Sequence, residues 1–163
     1  MEAHQCFQQD KNMGKTIQME HLKQYEHADT MVNTGSIKIA VDQAIADAGT
    51  TGHLVVLGTP VLDIQPATTP LIINLPDGET IKSTHTCKLN IPWLPAEATK
   101  AHIVPGLAHT SLLLIKVLCD AGCEVTYNGK NCLVFYKQTL VWMGQREVSM
   151  RLWVLPLAPK TQL

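Results

Sequence analysis

Asp47 follows the small apolar run Ala44-Ile45-Ala46 and opens the turn Ala48-Gly49-Thr50-Thr51-Gly52. This spacing predicts a carboxylate carried on a tight turn at the end of a strand and backed by a dry core. Where two such turns meet at a symmetry axis, the two carboxylates cannot both ionise and they share one proton. One then activates a water while the other, protonated, polarises a carbonyl, which is chemistry suited to hydrolysing an amide. Gly49 lets the turn stay compact enough for two loops to interlock. The chain supplies one such turn, so the reading requires a homodimer. Asp-x-Gly alone is a common turn sequence, and the neighbouring elements must carry the discrimination. Asp120-Ala121-Gly122 repeats the tripeptide. It follows a helix-like stretch, so Gly122 reads as the left-handed residue that closes a helix. Two full catalytic lobes do not fit in 163 residues.

The elements that must position Asp47 are mostly strands. Ile37, Ile39 and Val41 alternate with Ser36, Lys38 and Asp42, the period-2 pattern of a half-buried strand. Further strands are expected over Leu54 to Leu57, Leu71 to Leu75, Thr80 to Ile91 and Ala101 to Val104. Pro76-Asp77-Gly78 between two of these predicts a hairpin. Ser111 to Leu118 is apolar enough for a short buried helix ending before Gly122. Strand composition resumes over Glu124 to Tyr127, Cys132 to Tyr136, Thr139 to Met143 and Arg151 to Leu155, with Asn128-Gly129 as a hairpin signal. The fold class is all-β, mainly strand with one short helix. Residues 1–35 are polar and read as a linker, with Met19 to Tyr25 able to form a short helix.

Composition excludes several functions. The net charge is −1, from 13 basic and 14 acidic residues, so there is no general positive field to hold a phosphate backbone. With only 5% aromatic residues, a base-stacking platform is not expected either. Direct nucleic-acid binding is therefore not expected. No aliphatic run, Leu112 to Ile115 included, approaches the length of a membrane span, and the N-terminus lacks the apolar stretch of a signal peptide. A reducing, cytoplasmic setting is the default. Cys6, Cys87, Cys119, Cys123 and Cys132 are odd in number and argue against a disulfide framework. With His109, the last three match no common zinc spacing, and buried thiols are the simpler reading. His53, His102 and His109 are expected to pack or hydrogen-bond, and the scattered Trp93, Trp142 and Trp153 to pack. His85 and Thr86, on the strand that follows the Pro76-Asp77-Gly78 hairpin, are candidates for touching substrate.

Several runs agree in order with one known family. Asp47-Ala48-Gly49-Thr50-Thr51-Gly52-His53 stands where copia-type retrotransposon polyproteins have D-S-G-A-[ST]-x-H in their protease region. Asp77-Gly78-Glu79-Thr80-Ile81 stands for the flap run, and Val104-Pro105-Gly106-Leu107-Ala108-His109-Thr110-Ser111-Leu112-Leu113 for V-P-G-L-x-H-[NS]-L-[LI]. Leu118-Cys119-Asp120-Ala121-Gly122-Cys123-Glu124-Val125 matches L-x-D-x-G-x-x-V, and Arg151-Leu152-Trp153-Val154-Leu155-Pro156 echoes the family's closing run. Over about residues 40–157 the chain resembles that family.

The resemblance implies a retropepsin-like acid protease barrel protomer with a flap hairpin, spanning residues 36–157, with 158–163 a tail leading toward integrase. It implies Asp47 as the catalytic residue in a loop with Ala48, Gly49 and Thr50. Asp77 and Gly78 fall on the flap against substrate, and Val104 and Gly106 on the hydrophobic strand behind the catalytic loop. It implies a homodimeric aspartic endopeptidase with no metal or organic cofactor, cutting its own polyprotein inside the cell, within virus-like particles. Ala48 departs from the family, where Ser or Thr donates a hydrogen bond across the dimer axis. The alternative reading is a degenerate β domain that serves only as a structural or dimerisation module.

Overall fold

The structure, a computed structural model, describes residues 39–47, 49, 52–107 and 110–158. The expected linker over residues 1–35, the proposed helix Met19 to Tyr25 and nearly all of the tail lie outside these residues, as do Ala48, Thr50 and His109. The described part is mainly β. Twelve strands run in chain order as β1 Gln43–Asp47, β2 His53–Val55, β3 Val61–Pro66, β4 Ile72–Asn74, β5 Thr80–Lys82 and β6 His85–Leu89, then β7 Lys100–Ile103, β8 Ser111–Leu114, β9 Cys123–Tyr127, β10 Asn131–Tyr136, β11 Thr139–Glu147 and β12 Leu152–Pro156. A 3-10 turn, Ala96–Ala98, precedes β7, and one α-helix, α1 Ile115–Asp120, follows β8. No helix among the described residues is long and apolar enough to cross a membrane.

Ten strands form one sheet in the order β3-β6-β7-β2-β8-β1-β12-β11-β10-β9, and β4 pairs with β5 as a separate hairpin. The centre is where the sequence is most apolar. β1 lies parallel to β8 on one side and antiparallel to β12 on the other. Both faces of this region are covered, which explains why Ser111–Leu114 is buried at every position. One core cluster packs Ala44, Leu113, Leu155 and Trp142 with Ile115 and Leu118 of α1. The opposite cluster packs Ile45, Leu54 and Leu112 with Ile73, Val104 and Leu107. Each fully buried leucine in these layers contributes roughly 1.5–3 kcal/mol relative to exposure.

Several expectations are corrected. The first strand does not run through Val41. Gln43 N–H donates to Ala40 O at 3.0 Å and its Oε1 accepts from Ala40 N–H at 3.0 Å. These bonds close a turn that leaves Val41 45% exposed, and the strand begins only at Gln43. Ser111 to Leu114 is strand, not the start of the helix, because it is the buried neighbour of both β1 and β2. The expected strand Thr80 to Ile91 is two strands. Between them Ser83 exchanges hydrogen bonds with Leu71, through N–H to O at 2.9 Å and Oγ from N–H at 2.7 Å. Thr84 N–H then turns to Ile103 O at 2.9 Å. His85 and Thr86 therefore belong to β6 of the main sheet and not to the hairpin. Strand β3 has no counterpart among the expected strands.

Local turn chemistry behaves as read. Gly78 at φ +91 closes the β4–β5 hairpin, with Gly78 N–H bonded to Leu75 O at 3.0 Å and Asp77 Oδ1 accepting Glu79 N–H at 2.9 Å. Asn128 Oδ1 accepts both Lys130 N–H at 2.8 Å and Asn131 N–H at 2.7 Å between β9 and β10. Gly122 sits at φ +98 after α1 and its N–H returns to Cys119 O at 3.0 Å.

Candidate active site

Asp47 is the last residue of β1 and is only 2% exposed. Its Oδ1 accepts the N–H of Gly49 at 3.0 Å, so the carboxylate is fixed against its own turn. The strand carrying it pairs with β8 along residues 44–47 and with β12 along residues 43–45. In that register Asp47 stands opposite Leu114.

The support behind the turn comes from His53, which is fully buried at the start of β2. Its Nδ1 accepts the N–H of Leu114 at 2.9 Å, which leaves Nε2 as the protonated nitrogen donating to Ala98 O at 2.8 Å. One neutral imidazole thus ties β2, the 3-10 turn and β8 together. Burial is the main reason its pKa is lowered to about 4, and nearby His102 adds to the shift against the opposing effect of the Ala98 bond. The structural role expected for His53 matches this geometry.

A second support joins β2 to β8. Ser111 Oγ accepts Val56 N–H at 3.1 Å, while Thr59 Oγ1 donates to Val56 O at 2.8 Å. Gly52, in the turn after Asp47, lies against the His102 ring, where an added Cβ would stand 3.2 Å from Cδ2.

The residues expected to form the strand behind the loop lie past the end of β7, three strands from β1 in the same sheet. Val104 is buried and bonds through its N–H to Val55 O at 2.9 Å, beyond the end of β7. Gly106 lies in the turn closed by Leu107 N–H to Val104 O at 3.0 Å. The strand in contact with β1 is Ser111–Leu114 instead. Gly106 serves the hairpin: an added Cβ would come within 2.8 Å of Ile81 Cγ2, so β5 rests directly on this turn. Ile73 is buried beneath the hairpin, and Leu71, Leu75 and Ile81 pack on the same cluster as Ile45. The hairpin is thereby anchored over the apolar face of the sheet whose central strand carries Asp47, while its tip at Asp77 and Gly78 is exposed.

Sequence reasoning missed an aromatic group on the other flank. Tyr127 and Trp153 have ring centroids 4.7 Å apart, and the Arg146 guanidinium lies over Trp153 at 5.2 Å. Burial pushes the Tyr127 phenol up, with contributions from Cys132 and then from the charge of Asp47. The signal was thin, since Tyr127 and Trp153 are 26 positions apart on strands that are not neighbours in the sheet.

Asp120 is placed elsewhere. It ends α1 on the surface and pairs with Lys116 at 2.7 Å, both side chains more than half exposed. Cys87, Cys123 and Cys132 are buried free thiols, as expected, and burial raises the first two to about 11. Cys119 departs from that reading, being disulfide-bonded. The arrangement offers a buried, turn-held carboxylate with a rigid neutral histidine behind it and an anchored hairpin on the same face. No family model, curated protein or solved structure matches the chain.

Proposed function

We propose that the chain is the protomer of a homodimeric aspartic endopeptidase of the retropepsin kind, from a copia-type retrotransposon polyprotein that it processes. The observation that carries the reading is the Asp47 carboxylate, 2% exposed at the end of a central strand and held by the N–H of Gly49 at 3.0 Å. A buried carboxylate facing its symmetry mate is the group that shares a proton and activates water. The β4–β5 hairpin takes the role of the flap, with Asp77 and Gly78 at its tip. The polypeptide substrate lies extended beneath it. The setting we assign is cytoplasmic, and the reaction uses carboxylates and water without metal or organic cofactor.

The test is cleavage of a polyprotein fragment carrying the chain's own flanks. Asp47→Asn abolishes cleavage and Asp120→Asn leaves it intact. Retained activity in Asp47→Asn removes the assignment. Ala48, which lacks the family's hydroxyl, favours a second reading in which the domain only dimerises. That reading gains if wild-type protein forms dimers and cuts nothing.

A further inference from the structure

The face of the sheet that carries Ile45, Leu112 and Leu54 continues past the hairpin as a polar surface. Leu54 stands opposite His102, His102 opposite Thr86, and Thr86 opposite Gln65. Residues directly opposite in a ladder project to the same side. Two residues further along the same strands, Lys88 stands opposite Lys100. A groove of about 350 Å³ runs over this area and is lined by these polar side chains together with Asp63.

The charges in the groove are unbalanced. Like charges directly opposite in adjacent strands destabilise a sheet. One carboxylate is near: Asp63 Oδ2 lies 3.7 Å from Lys88 Nζ, with both side chains about half exposed or more. Asp63 reaches that place from a register shift in β3 and at φ +52, an uncommon conformation for a residue with a side chain. Lys100 has no ion-pair partner among the described residues. One positive charge is thus left over in a concave site whose His102 ring also lies against Gly52, in the turn after Asp47. Burial lowers the His102 pKa, which keeps the ring neutral and able to donate or accept a hydrogen bond at neutral pH.

We propose that the groove over β3, β6 and β7 is a specificity subsite that takes an acidic side chain of the extended peptide, held by Lys100 and Lys88 with His102 at the end nearest the catalytic turn. The assignment rests on the endopeptidase reading for the identity of the ligand as a peptide. It adds that the preferred substrate carries Asp or Glu at one fixed distance from the cut. A carboxylate there supplies the second negative charge that the lysine pair lacks. Asp63 limits the site to a single acidic group and would repel a run of them.

The probe is a series of fluorescein-labelled decapeptides with an apolar background, in which one Glu is moved position by position and each has a Gln counterpart. Affinity is measured by anisotropy on the full chain carrying Asp47→Asn, so that binding is read without cleavage. At one position Glu binds about threefold to fivefold tighter than Gln, the size expected of a partly exposed ion pair. The double variant Lys88→Gln, Lys100→Gln removes this preference, and Lys100→Glu reverses it toward a Lys peptide. Equal affinity of every Glu and Gln pair, or a preference that survives the double variant, overturns the proposal. So does binding of inorganic phosphate or an oligonucleotide to Lys88 and Lys100 without any Glu preference. The two readings separate cleanly. A Glu preference in a protein whose wild type cuts none of the peptides sinks the protease and leaves the acidic subsite, whereas cleavage with no such preference sinks the subsite alone.

Discussion

His53 Nδ1 accepts the backbone N–H of Leu114 at 2.9 Å, and Leu114 is the residue that stands opposite Asp47 in the sheet. The buried imidazole is therefore tied to the β8 residue that pairs with Asp47 in the sheet. Its other nitrogen is spent on Ala98 O at 2.8 Å, so both hydrogen bonds hold only while the ring is neutral. A protonated ring has no acceptor for the Leu114 N–H.

The first prediction is a loss of stability in mild acid that His53 causes. The folded state lowers the His53 pKa from 6.5 to about 4, so the unfolded chain takes up the proton first as the pH falls. The contribution of the neutral ring is complete above pH 6.5 and is lost as the pH drops toward 4. From the size of the shift this amounts to about 3 kcal/mol. Urea unfolding of wild type and His53→Phe at several pH values measures it. His53→Phe is less stable at pH 7, because it leaves a buried N–H and a buried carbonyl unpaired at about 1–3 kcal/mol each. The gap between the two proteins closes as the pH falls through the window. A gap that does not change with pH shows that His53 is not held neutral by the fold.

The second prediction concerns the sheet on the far side of Asp47. Gly144 in β11 leaves no room for a side chain, because an added Cβ would overlap the Val154 carbonyl oxygen and stand 2.7 Å from Leu155 Cγ. Both residues belong to β12, the strand paired with β1. Gly144→Ala must push β12 away or distort β11, at a cost of about 1–3 kcal/mol. Thermal unfolding reads the loss. A variant as stable as wild type means that β11 and β12 can separate without strain.

Turns were legible in the sequence because their chemistry is local. Pro76-Asp77-Gly78 and Asn128-Gly129 specify their own hydrogen bonds within a few residues, and Gly122 needs only its positive φ. Ser111–Leu114 was misread as helix for the opposite reason. A strand buried on both faces has no alternation, and a continuous apolar run carries no period that separates it from a buried helix. Strand β3 was invisible because it is an exposed edge strand holding Asp63, Gln65 and Pro66. The turn after Asp47 was legible, yet the strand beside β1 was not, since the pairing with Leu114 is set by long-range register. The His53 bond to that same residue spans 61 positions, and no local pattern announces it.

The third prediction follows from one candidate carboxylate per chain. If each active site needs Asp47 from two subunits, specific activity rises with protein concentration through the dimerisation range and levels off above it. Within its own chain β1 pairs with β12 along residues 43–45 and with β8 along residues 44–47, so the partner is expected at the turn end of β1. Sedimentation and initial rates measured over the same dilution series check this. Constant specific activity while the sedimentation shifts from dimer to monomer defeats the shared site.

The fourth prediction concerns Ala48, which lies between the buried Asp47 and the buried Gly49 and outside the described residues. In the family proposed for the chain, a hydroxyl at this position donates across the dimer axis to the partner's catalytic loop. A methyl group cannot do this, and each lost hydrogen bond is worth about 0.5–1.5 kcal/mol. With two symmetric copies, Ala48→Ser is expected to tighten the dimer by about one to two orders of magnitude. A rigid loop also holds both Asp47 carboxylates in one geometry, and displacement of a catalytic group by about 1 Å can cost on the order of a hundredfold in rate. Cleavage by Ala48→Ser at low protein concentration therefore exceeds that of wild type. Sedimentation and cleavage assays on the same samples distinguish the outcomes. A tighter dimer with faster cleavage marks a weakened protease whose remaining parts still fit. A tighter dimer without cleavage at acidic or neutral pH favours the module that only dimerises. If neither property changes, the residue after Asp47 does not face the axis, and the turn at Asp47 is not the meeting point of two active-site halves.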